Sequence, residues 1–371
     1  MEPLAVPAEA FRSARTPHAS EARVLSPGGL SGFLGSISVD SLPVLDRMGV
    51  EDQTGEPLDL PHYCALLELA AQKSGNDAFG LQVGRDAAPH QLGPAGAIAL
   101  TSETLGEALG NLARYLPYQL QNTAASFVRN GAACRFEYRI LDGRVLQHRQ
   151  EAELTISTIL NLVRRCLGKS WTPDEVHFEH PQPPGVHVHR QVFGAPVFFS
   201  MRTNLLAFSD PGLSRPMPDR DSERLEARCA TLLQLSGSTG VLGLTDQVAG
   251  EIRSRLPSGY PHIDGIADAL RMTRWTLQRR LAEHGKVFSE LVESTRRGLA
   301  EVHLATPHMS IREIADQLGY SELSAFTRAC ARWFGAPPSR VRERILRQKA
   351  VLISERESHE MSIAAQTARL K

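Results

Sequence analysis

Two stretches of this chain repeat one another: Ile263-Asp-Gly-Ile-Ala-Asp-Ala-Leu270 and Ile311-Arg-Glu-Ile-Ala-Asp-Gln-Leu318 share four apolar positions and one Asp. In each copy the Ile, Ile, Ala and Leu fall on one face of a short helix. A three-residue break follows (271–273 and 319–321), and a second apolar-striped segment begins. This is helix-turn-helix spacing, and its recurrence marks an internal duplication. Ala267 and Ala315 stand where the two helices of each unit cross, so a small side chain lets the backbones approach. Leu277 and Leu281 in the first copy, and Phe326, Trp333 and Phe334 in the second, supply the inward face. The duplication predicts an all-α C-terminal domain over 241–347, two helix-turn-helix units joined by a linker helix from Ser289 to His303.

The faces left over carry the chemistry. On the first unit's second helix they hold Arg274, Trp275, Thr276, Gln278 and Arg279; on the second unit's, Ser324, Thr327, Arg328 and Arg332. Guanidinium groups suit phosphates and guanine edges, and an amide suits adenine. A single such helix pair reads equally well as a plain helical hairpin. Two copies with basic outer faces point instead to duplex DNA, with two helices entering successive major grooves roughly 34 Å apart. The whole chain has no net charge, but residues 241–350 hold 17 Lys and Arg against 12 Asp and Glu.

The N-terminal half follows other periods. Apolar residues Leu60, Cys64, Leu67 and Ala71 share a helical face from Asp59 to Gln72, behind Pro61. Thr104 and Glu107 form a capping signature ahead of Leu105, Ala108, Leu109, Leu112 and Leu116, and residues 148–167 predict a third helix. Ala125–Arg129 and Ala133–Ile140 alternate around Asn130-Gly131 as a hairpin. Val176 with Phe178, Val186 with Val188, and Val197 to Phe208 read as further strands. The fold class is therefore an α+β domain over 30–218 followed by the all-α domain. Residues 219–240 read as a helical linker whose apolar face is Leu225, Cys229, Leu232 and Leu233; 1–29 read as disordered and 348–371 as a tail.

Several chemistries find no support. No nucleophile elbow, phosphate loop or dinucleotide fingerprint is present, so the chain is not expected to be an enzyme, and no cofactor is called for. His177, His180, His187 and His189 have spacings that fit a metal, but alternation with Val and Phe places His177, His187 and His189 on polar strand faces, and no metal site is assigned. The five cysteines are scattered and odd in number, which fits a reducing cytoplasm. Cys166 follows two arginines yet sits among Leu160, Leu162, Val163 and Leu167, so packing is its expected role. No stretch approaches the length of a membrane span, and nothing reads as an export signal.

The C-terminal module resembles the AraC/XylS family of bacterial regulators. The matching residues are Trp275-Thr-Leu-Gln-Arg-Arg-Leu281, Ile311 to Tyr320, Ala325-Phe-Thr-Arg328 and Phe334-Gly-Ala-Pro-Pro-Ser339. The N-terminal half is similar to that family's arabinose-binding-type sensory domain, shared with ornithine-utilisation and virulence regulators, through Phe79-Gly-Leu-Gln-Val-Gly84, Leu92-Gly-Pro-Ala-Gly96, Thr104 to Leu109 and Phe193-Gly-Ala-Pro-Val197. The resemblance implies base contacts from Trp275, Gln278, Arg279, Ser324, Thr327 and Arg328. It implies a cytoplasmic transcription regulator, expected to be an activator, with promoter DNA, RNA polymerase and a small-molecule effector as partners, a second copy as a further possible partner, and the nucleoid as its place when bound to DNA. A repressor or architectural protein that only dimerises through its N-terminal domain, or an enzyme with an appended DNA-binding module, are the alternatives.

Overall fold

The computed structural model describes residues 23–24, 58–209, 212–236 and 243–348. They divide into two compact units, 1–254 and 255–371. Within the segment expected to be disordered, Arg23–Val24 pairs antiparallel with Leu58–Asp59; the rest of 1–29, and 349–371 of the expected tail, lie outside the described residues.

The first unit is α+β, as expected. Its helices are α1 (Leu60–Ser74), α2 (Phe79–Asp86), α3 (Gly93–Thr101), α4 (Leu105–Gln119), α5 (Arg149–Leu167), α6 (Val186–Phe193), α7 (Ser222–Ser236) and α8 (Leu244–Arg255). Strands β1 (Thr123–Asn130), β2 (Ala133–Ile140), β3 (Glu175–His177), β4 (Val197–Phe198) and β5 (Asn204–Ser209) form one sheet in the order β1-β2-β5-β3-β4. The β1–β2 hairpin closes with Asn130 opposite Ala133, so Gly131 at φ 61° is the first of the two turn residues. Cys134, Phe136, Tyr138 and Ile140 alternate inward along β2 and face the core.

Around that sheet the capping reading of α4 holds: the Glu107 amide donates to Thr104 Oγ1, and Leu105, Ala108, Leu109, Leu112 and Leu116 are buried. Helix α5 runs through the interior, every residue from Gln150 to Leu160 being buried. Helix α2 crosses it at Gly80 and Gly84, where a Cβ would stand 1.9 Å from the Gln150 carbonyl oxygen and 2.0 Å from Ser157 Oγ. Only glycine permits that approach.

One expectation is corrected here. Val186 and Val188 lie on helix α6, not on a strand, and His189 is fully buried instead of lying on a polar strand face. Four residues of Val-His alternation fit both periods; burial of His189, Val192 and Phe193 at helical spacing decides between them. Helix α7, read as a linker, buries Leu232 and packs Leu225 and Cys229 against the core, while Leu233 is exposed. Helix α8, placed by the sequence reading after the 240/241 boundary, is compact with the first unit to Ser254.

The second unit is helical: α9 (Ile263–Ala269), α10 (Arg274–Glu283), α11 (Phe288–Leu304), α12 (Ile311–Gln317) and α13 (Leu323–Phe334), then helical residues 338–348. The duplicated motif folds twice into one geometry. Met272 N–H donates to the Ala267 carbonyl and Tyr320 N–H to the Ala315 carbonyl, each at 2.9 Å. Both turns need a left-handed residue, Arg271 at φ 53° in the first and Gly319 at φ 71° in the second. Arginine is strained there. Arg271→Gly is therefore expected to stabilise the second unit by about 0.5–1 kcal/mol, read by denaturant titration.

Candidate functional site

Helix α10 starts on a cap, Thr273 Oγ1 accepting from the Thr276 amide at 3.2 Å. Leu277 and Leu281 are buried. The opposite face therefore points outward, and it carries Arg274, Trp275, Gln278 and Arg279, all exposed; Trp275 is 67% exposed, unusual for so large an apolar surface. The Arg279 guanidinium sits 5.1 Å from the Trp275 ring centre, and Arg279 Nε is 3.8 Å from Glu283. Arg274 lies 3.5 Å from Asp264. Thr276 is half-buried and shares a hydroxyl hydrogen bond with Thr273.

In the second unit Ser310 and Glu313 cap α12 reciprocally, the Glu313 amide donating to Ser310 Oγ and the Ser310 amide to Glu313 Oε2. Helix α13 buries Phe326, Ala329 and Cys330; Trp333 and Phe334, expected inside, are half-buried. Ser324 and Arg328 are exposed, whereas the Thr327 hydroxyl donates to the Leu323 carbonyl. Arg332 is bonded to Glu293 of α11, to which Trp333 Nε1 also donates at 2.7 Å. Glu293 was not anticipated by sequence. It lies about forty positions from both partners, and no local pattern announces such a contact.

The first unit holds a different kind of site in its interior. Glu153 of α5 is wholly buried and accepts from Arg149 Nε and from His189 Nε2, each at 2.8 Å, with His180 Nε2 3.4 Å away. Burial pushes its pKa up, but the His189 hydrogen bond and the Arg149 charge outweigh that and bring it to about 2. Burial holds His180 down at about 4, and its Nδ1 donates to the Pro181 carbonyl. His187 is exposed on α6 and His177 stands 3.3 Å from Glu175, so the four histidines do not converge. Among the described residues no group of three or more His, Cys, Asp or Glu is placed to hold a metal. Cys166 is half-buried with its thiol pKa pushed up by burial, the opposite of a reactive thiolate.

Glu151, two residues before on the same helix, has no such compensation. Its Oε1 accepts from Tyr138 Oη at 2.7 Å and from Thr155 Oγ1 at 2.8 Å, and its Oε2 is buried without a partner. Burial lifts its pKa to about 7, with the Tyr138 and Thr155 hydrogen bonds opposing and the Glu179 charge adding to the rise. Between about pH 4.5 and 7 the folded group holds a proton that the unfolded chain has released, so stability falls as pH rises through that window. Glu151→Gln is expected to flatten this slope and to exceed the wild type at higher pH by on the order of 3 kcal/mol, read from urea titrations across pH.

Residues 39–217 match the arabinose-binding N-terminal domain of AraC transcription regulators, and residues 266–344 match a helix-turn-helix domain. The chain is 30% identical over 323 residues to the HTH-type transcriptional regulator VirS of Mycobacterium tuberculosis, covering 85% of this chain and 94% of VirS. It belongs to the AraC family. This AraC-family chain is also 26% identical over 305 residues to the ornithine utilization regulator of Pseudomonas aeruginosa, covering 80% of this chain and 88% of that one. The crystal structure of the regulator CdpR from the same species covers 81% of this chain and 96% of its own at 22% identity and a TM-score of 0.39. As an AraC-family protein it is a DNA-binding transcription regulator, and no helix among the described residues is long and apolar enough to cross a membrane.

Proposed function

We propose that this AraC-family regulator is a one-component switch: the first unit binds a small molecule, and α10 and α13 present their outer faces to successive major grooves of promoter DNA. The observation that carries this is the twice-built motif. In both units an apolar face is buried and a polar, cationic one is left free: Trp275, Gln278 and Arg279 on α10, Ser324 and Arg328 on α13. Helix α10 is the stronger reader, because its Arg279 and Trp275 are already stacked, whereas Arg332 is engaged by Glu293 and Thr327 by its own helix. Thr276 and Arg274 support the cap and the phosphate contacts. The output is activation through contact with RNA polymerase, a second copy joins through the first unit, and the protein works in the cytoplasm on the nucleoid. It carries no catalytic step.

The test is fluorescence anisotropy on duplex DNA from the gene's own upstream region, across a salt series, with random duplex of equal length as competitor. Selective, salt-dependent binding is the expected result; equal affinity for both duplexes ends the base-reading assignment. Arg279→Ala is expected to cost about 1–3 kcal/mol and to relax the preference at one base pair, whereas a uniform loss on every sequence makes Arg279 a phosphate contact.

A further inference from the structure

We propose that Glu151 is the anchoring carboxylate for an effector that carries a primary ammonium group. This rests on reading the first unit as a small-molecule sensor and names the ligand class that sensor takes. The argument begins from the two buried glutamates of α5. Glu153 also has an Oε2 without a hydrogen-bond partner, but its Oε1 meets a guanidinium and an imidazole, so its charge is answered within the protein. Glu151 meets only hydroxyl groups, Tyr138 and Thr155, both on Oε1. Its Oε2 is wholly enclosed and accepts from nothing.

A carboxylate oxygen has room for two donors, and leaving it buried and unpaired is unfavourable. The other charged groups of this interior do not relieve it. Arg139 is shared between Glu179 and Glu251, both carboxylates, and Arg253 is bonded to backbone carbonyls. Tyr63 and Cys64 of α1 stand beside Glu151, both held in their neutral forms by burial. What the site lacks is one positive donor at Oε2. An ammonium group supplies it with a charge-assisted hydrogen bond in a setting shielded from water, where such bonds are strongest. A neutral hydroxyl supplies the donor without the charge, and an anion is repelled. Helix α1, whose Tyr63 and Cys64 feel the Glu151 charge, packs against α5, so entry of the ligand shifts α1 against α5, which gives binding a structural consequence in the first unit.

The experiment uses the full-length protein at about pH 8, where Glu151 is ionised. Thermal melts are recorded with ethylamine, butylamine, 1,4-diaminobutane and lysine, and with butanol and butyrate as neutral and anionic counterparts. At least one amine is expected to raise the melting temperature in a saturable way while butanol and butyrate do not. Glu151→Gln is expected to weaken that amine by at least about tenfold, and Glu151→Asp, which keeps the charge, to retain part of the response. No response to any amine overturns the assignment, as does an equal response in Glu151→Gln. The sensor reading is followed separately by screening the same compounds, sugars and carboxylic acids for an effect on DNA affinity. A sugar or acid that acts equally on wild type and Glu151→Gln overturns the ammonium site and leaves the sensor standing; no effect from any class overturns both.

Discussion

Arg296→Ala is expected to lower the melting temperature of the second unit by more than about 10 °C, a loss of about 3 kcal/mol. Arg296 projects from α11 and is buried. Its Nε donates to the Leu318 carbonyl and its Nη2 to the Gly319 carbonyl, each at 2.8 Å. The guanidinium plane lies 4.2 Å from the Tyr320 ring centre and 5.1 Å from that of Tyr260. The side chain thus takes up the C-terminal carbonyls of α12, groups a helix end leaves without partners, at the turn that aims α13. Truncation leaves both carbonyls buried and removes the cation that both tyrosine rings face. Arg296→Lys keeps the charge and loses the planar fork, so it is expected to lose roughly half as much. Calorimetry of the full chain reads the transition, and the same variant should bind DNA more weakly because the turn is no longer pinned. A loss under about 1 kcal/mol would mean water replaces the fork at no cost, and the turn would then rest on its own backbone hydrogen bonds.

The same turn shows where sequence reasoning reaches and where it stops. The two helix-turn-helix units were legible because what marks them is local: Ile, Ile, Ala and Leu within eight residues, then a three-residue break; the Thr273 cap and the Ser310–Glu313 box, equally local, came only with the structure. The outward placement of Trp275, Gln278, Arg279, Ser324 and Arg328 follows from that periodicity. Arg296 was not legible. Its partners lie 22 and 23 positions away, and an Arg among polar residues on a helix reads as solvent-facing. Helix α5 misleads in the same way: Gln150, Glu151, Glu153, Thr155 and Ser157 look like a solvated stripe, yet all are buried, with polar atoms engaged by α2, β2, α6 and their own helix and only Glu151 Oε2 and Glu153 Oε2 among them left without a hydrogen-bond partner. Val186 to His189 fails for the opposite reason, since four residues are too few to separate a period of 2 from one of 3.6. The Phe79-Gly-Leu-Gln-Val-Gly84 motif carried the family likeness, and only the α2–α5 crossing shows what its two glycines are for.

Arg253→Ala is expected to destabilise the first unit by about 3–5 kcal/mol, the range for removing one partner from a buried charged arrangement. Arg253 stands near the end of α8 and is almost wholly buried. Its Nη1 donates to the Asp142 carbonyl at 3.0 Å and also to that of Val145, and its Nη2 donates to the Ile140 carbonyl at 2.5 Å. Ile140 is the last residue of β2, where it pairs with Thr123 of β1, and Asp142 and Val145 lie in the loop leading to α5, outside any strand. Burial lowers the Arg253 pKa, which is the cost of placing the cation there; three carbonyl partners and the nearby charges of Glu179 and Asp142 offset it. Around that anchor α8 approaches the loop so closely that a Cβ on Gly250 would stand 2.1 Å from the Leu141 carbonyl oxygen, and the Gly143 amide donates to the Asp246 carbonyl at 3.2 Å. Loss of the guanidinium leaves three buried acceptors open and removes the feature that fixes α8 in register. Hydrogen exchange is the discriminating readout: in Arg253→Ala the amides of 244–254 should lose protection before those of β2 and α5 do. If 244–254 keeps its protection while global stability falls, Arg253 supports the loop and the glycine contacts alone hold α8. If neither changes, the carbonyls find other donors.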